Sequence, residues 1–225
     1  MNSLSKQLRT HKIGPIILLD SSISKDTYCP INLSIANIAL NNYNVQNPTQ
    51  CQSYINSVLS KYKARVAYGG YLEKRNLYGD KSNFTSGENP RNIHLGMDFW
   101  SLAGTKVIAP LDGIVHSFQN NKTLGDYGPT IILKHEYTDL TFHTLYGHLS
   151  VESLENLHVG MSFKRGSTLA KLGTPDINVN YAPHLHFQII DDMEGKEGDY
   201  PGVCASDLLD FYSKNCPDPN LLLQM

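Results

Sequence analysis

Ile93-His-Leu-Gly-Met-Asp-Phe-Trp100 alternates apolar Ile93, Leu95, Met97 and Phe99 with His94, Gly96, Asp98 and Trp100. A strand points successive side chains to opposite faces, so period two sends His94, Gly96 and Asp98 to one face. The i, i+4 spacing of His94 and Asp98 also suits a helix, but Gly96 and the alternation favour an extended segment. A glycine between two polar groups leaves space beside the backbone for an ion or a substrate.

The same texture continues on both sides of this stretch. From about Val66 to Asp191 short apolar runs alternate with glycine-rich turns. Candidate strands are Lys106–Ala109, Gly113–Gln119, Thr130–His135, Leu140–His148, Thr168–Leu172 and His184–Ile190. Turn signals at Pro110-Leu-Asp-Gly113, Gly125-Asp-Tyr-Gly128, Lys164-Arg-Gly166 and Gly173-Thr-Pro175 separate them. Many short strands at close spacing predict a mainly β fold. Before it, Cys51, Tyr54, Ile55, Val58, Leu59 and Tyr62 form one helical stripe within Pro48–Arg65, with Pro48 suited to the first turn and Thr49 and Gln52 spaced as a capping box. After it, Ser206–Ser213 reads as a short helix, followed by a Pro/Asp-rich tail whose Leu221–Leu223 should pack back on the domain. The chain thus divides into a partly helical N-terminal extension (1–66), a β domain (67–195) and a C-terminal helix and tail (196–225), without internal repeats.

Two further stretches carry polar side chains on strand faces. In Pro183-His-Leu-His-Phe-Gln-Ile189, His184, His186 and Gln188 share one face, and Leu185, Phe187 and Ile189 the other. Residues at i and i+2 lie about 6.5–7 Å apart, so both imidazoles can address one site. Tyr146-Gly-His-Leu-Ser150 places His148 in the turn after a strand. A catalytic zinc takes three N or O ligands and keeps a fourth position for water, a count that two histidines and one aspartate meet. Such an ion acidifies water and polarises a carbonyl, and nearby imidazoles can move protons or steady an oxyanion. Spacing alone leaves open which of His184 and His186 is the ligand.

The bulk numbers exclude other classes. The chain has 225 residues, 40% hydrophobic and 18% charged, with a net charge of −2. That is ordinary globular composition with neither a basic nucleic-acid footprint nor a polybasic membrane patch. Arg9 and Lys12 precede the apolar run Ile13–Leu19, but Gly14 and Pro15 interrupt it and it stops at Asp20. It therefore reads as a buried strand or docking segment and not as a signal peptide, and no run is long enough to span a membrane. A cytoplasmic location is favoured and export stays open. Cys29, Cys51, Cys204 and Cys216 form no C-x-x-C pair, and reduced, buried thiols are favoured over two disulfides.

His-x-x-x-Asp, Tyr-x-His-Leu and Pro-His-Leu-His-Phe, in that order from roughly Asn92 to Ile190, resemble the lysostaphin-type zinc metallopeptidases. The resemblance includes Gly104-Thr-Lys-Val-Ile-Ala-Pro-Leu-Asp-Gly-Ile-Val115, Gly128-Pro-Thr-Ile-Ile-Leu133 and the stretch Gly160 through Gly173. It implies an antiparallel β-sheet domain with a surface groove, and one Zn2+ held by His94, Asp98 and His186. It makes His148 and His184 the catalytic pair. The implied activity is metalloendopeptidase cleavage of short peptides, including peptidoglycan cross-links. Tyr68–Tyr78, Gly125–Pro129, Gly198–Gly202 and Cys216–Leu223 instead resemble the peptidase-like module that accompanies a kinase-like domain and a class III aminotransferase in large fused proteins. In that setting the substrate need not be a cell-wall peptide, and a cytosolic amide is an alternative. A second alternative is a non-catalytic binding or regulatory module of the same fold.

Other polar and aromatic residues receive plainer readings. His11, His116, His135, His143 and His158 lie outside the three motifs and are not expected to line the groove. Tyr146 and Tyr181 either shape the groove or pack as aromatics. Asn121 is not taken as a ligand. Gln188 shares the face of His186 and can orient it, since metal-binding histidines need an acceptor at their other nitrogen.

Overall fold

The computed structural model describes residues 3–10, 14, 16–77, 89–123, 125–137, 140–178 and 181–225. His11, Lys12, Ile13, Pro15 and Tyr78, named above, lie outside the described residues. The fold is mainly β. Helix α1 (Ser3–Thr10) precedes β1 (Tyr28–Pro30), helix α2 (Pro48–Tyr62) and β2 (Val66–Gly69). The middle of the chain forms β3 (Ile93–His94), β4 (Met97–Trp100), β5 (Lys106–Ile108), β6 (Gly113–Asn121), β7 (Gly128–Tyr137) and β8 (Leu140–Gly147). Strands β9 (Ser162–Phe163), β10 (Thr168–Lys171), β11 (His184–Ile190) and β12 (Val203–Cys204) follow, then helices α3 (Leu209–Asn215) and α4 (Asn220–Leu223).

Eight strands make one sheet in the order β1-β2-β4-β11-β8-β7-β6-β9, while β10–β5 and β12–β3 form two-stranded pairs. Only β1 and β2 run parallel; every other neighbouring pair in the large sheet is antiparallel. Period-two sorting decides the two faces. Met97, Phe99, Leu185, Phe187, Ile189, Ile131 and Leu133 point into the largest apolar cluster, which also receives Leu4 and Leu8 of α1 and Leu222 and Leu223 of α4. The opposite face carries two smaller clusters. One is built on Cys51, Tyr54 and Ile55 of α2 with Ala67 and Trp100. The other joins Leu95, Ile132, Leu145 and Ile190 to Tyr200, Cys204 and Cys216. The polar residues of β4 and β11 lie on this second face.

Several local expectations change in detail. The extended stretch around His94 bends at Gly96 instead of forming one strand. Its first half pairs with β12, Val203 opposite His94, and its second half pairs with β2 and β11. The predicted Thr49–Gln52 capping box is not made: Asn47 caps α2, its side-chain oxygen accepting the Thr49 and Gln50 N–H groups at 3.1 Å each. Gln52 instead donates sideways to Asn56 at 2.8 Å. Helix α2 stops at Tyr62, short of Arg65, because Lys63 turns left-handed at φ 52°. The C-terminal helix begins as a 3-10 turn at Ser206–Leu208 and continues to Asn215. The apolar run ending at Leu19 does dock: Ile16, Leu18 and Leu19 are buried. It makes a single bridge to Val107 and one bond from Ile108 N–H to the Leu18 carbonyl at 2.7 Å. All four cysteines are buried and free of disulfides. No described helix is long and apolar enough to cross a membrane.

Asn47→Ala removes the acceptor for two otherwise unpaired helix N–H groups. It should lower unfolding free energy by about 1 kcal/mol, read as a shifted urea midpoint with an unchanged m-value.

Candidate metal centre

Strand register assembles the centre. In the β4–β11 pairing Asp98 lies directly opposite His186, and Trp100 opposite His184. Opposed side chains on one sheet face stand about 5 Å apart at Cβ, close enough to share a small ion. On the other side of β11, His186 faces Gly147 of β8, where the Tyr127 ring fills the space a side chain would take. His94 arrives from β3, across the bend at Gly96. A Cβ at Gly96 would lie 2.6 Å from His186 Cε1 and 2.7 Å from the Phe187 carbonyl oxygen. The room that glycine leaves is therefore occupied by the His186 ring.

His94, Asp98 and His186 converge, with 2%, 2% and 3% of their surfaces exposed. His94 Nε2 lies 3.2 Å from Asp98 Oδ1 and 2.9 Å from His186 Nδ1. His186 Nδ1 lies 3.1 Å from the same Asp98 oxygen. Among the described residues these three form the one group able to offer a ligand atom each to a metal ion. Tetrahedral zinc at ordinary bond lengths sets its ligand atoms about 3.3 Å apart, so the observed triangle is only a few tenths of an ångström tighter.

The hydrogen bonds outside the triangle decide what faces its centre. His94 Nδ1–H donates to the Gly70 carbonyl at 2.9 Å. His186 Nε2–H donates to Gln188 Oε1 at 2.9 Å. The orientation of that amide follows from its other end, where Gln188 Nε2 donates to the Pro201 carbonyl and to Cys216 Sγ. With both outer nitrogens protonated, the inner nitrogens of neutral rings carry lone pairs. Burial, reinforced by the nearby Arg75 charge, lowers the His94 pKa to about 4, so the neutral ring is the resting form. Burial opposes ionisation of Asp98, but the Arg75 guanidinium on Oδ2, with the two imidazoles beside Oδ1, outweighs it and holds the carboxyl well below its usual range. Two lone pairs and a carboxylate oxygen within about 3 Å repel one another unless a cation lies between them. The donor set fits a divalent metal.

His148 and His184 stand beside this triangle with ring centroids 4.0 Å apart. Both are buried, and burial lowers both pKa values. His184 Nδ1–H donates to the Ala182 carbonyl at 2.7 Å, which leaves Nε2 as its basic nitrogen, and the ring stacks on Trp100 at 5.6 Å. His148 follows β8 in a left-handed conformation at φ 63°, and its Nδ1 is buried without a hydrogen-bond partner. A strained backbone and an unsatisfied polar atom in one residue mark a position held for a use other than packing. The five residues line a cavity of about 350 Å3, walled further by Cys51 of α2, Trp100, Tyr127, Tyr181 and Tyr200. Asp126 and Asp199 also line it. Burial, with Asp199 adding to it, raises the Asp126 pKa to about 6.

Residues outside the motifs fall where packing puts them. Tyr181 lines the cavity, whereas Tyr146 is fully buried in the apolar core against Phe187. Gln188 takes the orienting role that its shared face suggests. Asn121 ends β6 and donates to Thr130 and the Gly198 carbonyl. His135 is buried between the Asp112 carbonyl and Thr144, His116 and His143 pair with each other, and His158 is exposed. None of these four histidines lines the cavity. Arg75 is a site residue outside the sequence motifs: its Nη1 meets Asp98 Oδ2 at 2.5 Å, both side chains being 2% exposed. A buried arginine leaves no periodic trace. Its one available signal was Glu73 at i−2, which bonds Arg75 Nε at 2.6 Å.

Residues 92–198 match the family model described as Peptidase family M23. The chain carries an M23 peptidase-like domain. A Haemophilus influenzae protein described as an uncharacterized metalloprotease is 34% identical over 95 residues, covering 42% of this chain and 18% of its own length. A zinc-containing peptidase from Vibrio cholerae is 26% identical with a TM-score of 0.36, covering 44% of this chain and 27% of that one. The catalytic domain of the antimicrobial peptidase lysostaphin from Staphylococcus simulans is 25% identical with a TM-score of 0.40, covering 65% and 88%. The chain therefore spans less than a third of the Haemophilus and Vibrio proteins.

Gly96→Ala forces a methyl group into the His186 ring and the Phe187 carbonyl. It should cost about 1–3 kcal/mol of stability and weaken divalent-metal binding, read by calorimetric titration beside a thermal melt.

Proposed function

We propose that this chain is a zinc-dependent hydrolase of short peptides or similarly small amides, with His94, Asp98 and His186 as the metal ligands. The observation that carries this reading is the triangle of two imidazole lone pairs and one carboxylate oxygen, each ligand oriented by a partner of its own. When bound, zinc supplies Lewis-acid polarisation of a carbonyl and makes water more acidic. The M23 peptidase-like match over the same residues supports a peptide bond as the target.

The chain's own residues divide the remaining work. His184, kept neutral by burial and fixed in its tautomer by the Ala182 carbonyl, is the base that takes a proton at Nε2 from the attacking water. His148 stands next to it with its own neutral ring and is the donor to the developing oxyanion. The proton gained by His184 then passes to the leaving amine. Trp100, Tyr127 and Tyr181 enclose the pair and limit water, which strengthens these interactions in a low-dielectric setting. A cavity of about 350 Å3, with Cys51 of α2 in its wall, suits a compact substrate. That size, together with the flanking stretches akin to aminotransferase-fused modules, favours a small amide over a cross-linked polymer.

Purified protein should contain about one zinc per chain and lose hydrolysis on chelation. His184→Ala should retain the zinc while kcat falls by at least about 100-fold. Turnover of short glycyl and alanyl peptides and small amides, but not of intact cell-wall polymer, is expected. Protein that binds no zinc, or a His184→Ala variant with full activity, would contradict the assignment.

A further inference from the structure

Asp98 offers only one of its two oxygens to the centre of the triangle. The other, Oδ2, receives Arg75 Nη1 at 2.5 Å. The guanidinium is in turn fixed from three sides. Arg75 Nε donates to Glu73 Oε2 at 2.6 Å, and the plane lies over the Trp100 ring with Cζ 5.6 Å from its centroid. The third side is Gly70, where any Cβ would collide with the guanidinium. Glu73 then reaches out of the site: its Oε1 accepts the Leu33 N–H at 2.9 Å. Leu33 follows β1, whose parallel pairing with β2 is extended by the bond from Ile31 N–H to the Tyr68 carbonyl at 2.9 Å. Gly69, at the end of β2, packs so closely on Ile31 that a Cβ there would lie 2.5 Å from the Ile31 carbonyl oxygen. Next to it, Gly70 supplies the carbonyl that orients His94.

We propose that Arg75 is a positioning residue that restricts Asp98 to a one-oxygen metal ligand, and that Glu73 makes this restriction depend on the N-terminal segment around Leu33. The inference rests on the metal reading of the triangle. A free carboxylate can chelate a cation through both oxygens. An arginine on Oδ2 removes that option and leaves Oδ1 aimed between the two imidazoles. Only a guanidinium can hold Glu73 through Nε and Asp98 through Nη1 at once, because its donors are fixed in one plane. The charges also balance in the direction a cation needs. Arg75 offsets one of the two carboxylates, so the buried group keeps a net negative charge before metal binds. Residues 69–75, braced by residues 28–33, thereby orient two of the three ligands, His94 through a carbonyl and Asp98 through a cation.

The test compares the full-length protein with Arg75→Lys and Glu73→Gln, using cobalt(II) as a visible probe and chelator competition for zinc affinity. Lysine keeps the charge but cannot span both carboxylates. Glutamine keeps an oxygen for the Leu33 N–H and presents an amide that cannot accept from Arg75 Nε if that oxygen is retained. Both variants should bind zinc about 10–100-fold more weakly. Their cobalt d–d bands should also lose intensity, as Asp98 becomes a two-oxygen ligand and coordination number rises. Circular dichroism and thermal melts identify folded protein; if Arg75→Lys does not fold, Glu73→Gln decides. Folded variants with zinc affinity within twofold of wild type and an unchanged cobalt spectrum overturn the proposal. Wild-type protein that binds neither metal overturns the metal reading itself, a separate outcome.

Discussion

The site depends on the register that sets Asp98 of β4 across from His186 of β11. Because side chains alternate along a strand, a slip by one residue would turn Asp98 and His186 into the apolar core and bring Met97, Phe99 and Phe187 out. The hydrophobic face thus locks the polar one. Burying Phe99, Leu185, Phe187 and Ile189 without measurable exposure beyond 1% enforces the pairing that brings a carboxylate to an imidazole. Gly96 and Gly147 do the complementary task, leaving the space that the His186 and Tyr127 rings occupy.

Concentrating polar groups in a buried place has an electrostatic cost, and the surrounding residues show how it is met. Unpaired buried charges are strongly unfavourable, so Asp98 is matched by Arg75, Arg75 by Glu73, and both outer imidazole nitrogens by oxygen acceptors. At the centre of the site the inner triangle and His148 Nδ1 are left uncompensated. His143 Nδ1 and Asn178 Oδ1 are also buried without a hydrogen-bond partner, so it is the clustering of His148 with the triangle that locates the chemistry.

Much of this was readable from residues alone. Alternation around Asp98 and His186 fixed the face each occupies, since period two is a property of the backbone and survives any tertiary arrangement. The strands from Gly113 to Ile190, apart from the two-residue β9, were found within a few residues, for the same reason. The short elements α1, β1, β9 and β12 escaped, and so did three features of more consequence. Asn47 as the cap of α2 was missed because capping is decided by backbone geometry, and Thr49 offered an equally good pattern. The bend at Gly96 depends on β3 pairing with the distant β12, a contact of high sequence separation. Arg75 was invisible as a site residue because its role is set by burial against Asp98, and sequence shows an arginine as a surface charge by default. Choosing His186 over His184 as the ligand candidate required a family resemblance; the geometry supplies an independent reason, since His186 Nδ1 lies 2.9 Å from His94 Nε2 and 3.1 Å from Asp98 Oδ1.

X-ray absorption at the zinc edge of zinc-loaded protein tests the centre most directly. Two imidazole rings and one or two oxygens, all near 2.0–2.1 Å from the metal, are expected. A sulfur shell near 2.3 Å, or a shell of oxygens with no imidazole back-scattering, would contradict a site built from His94, Asp98 and His186.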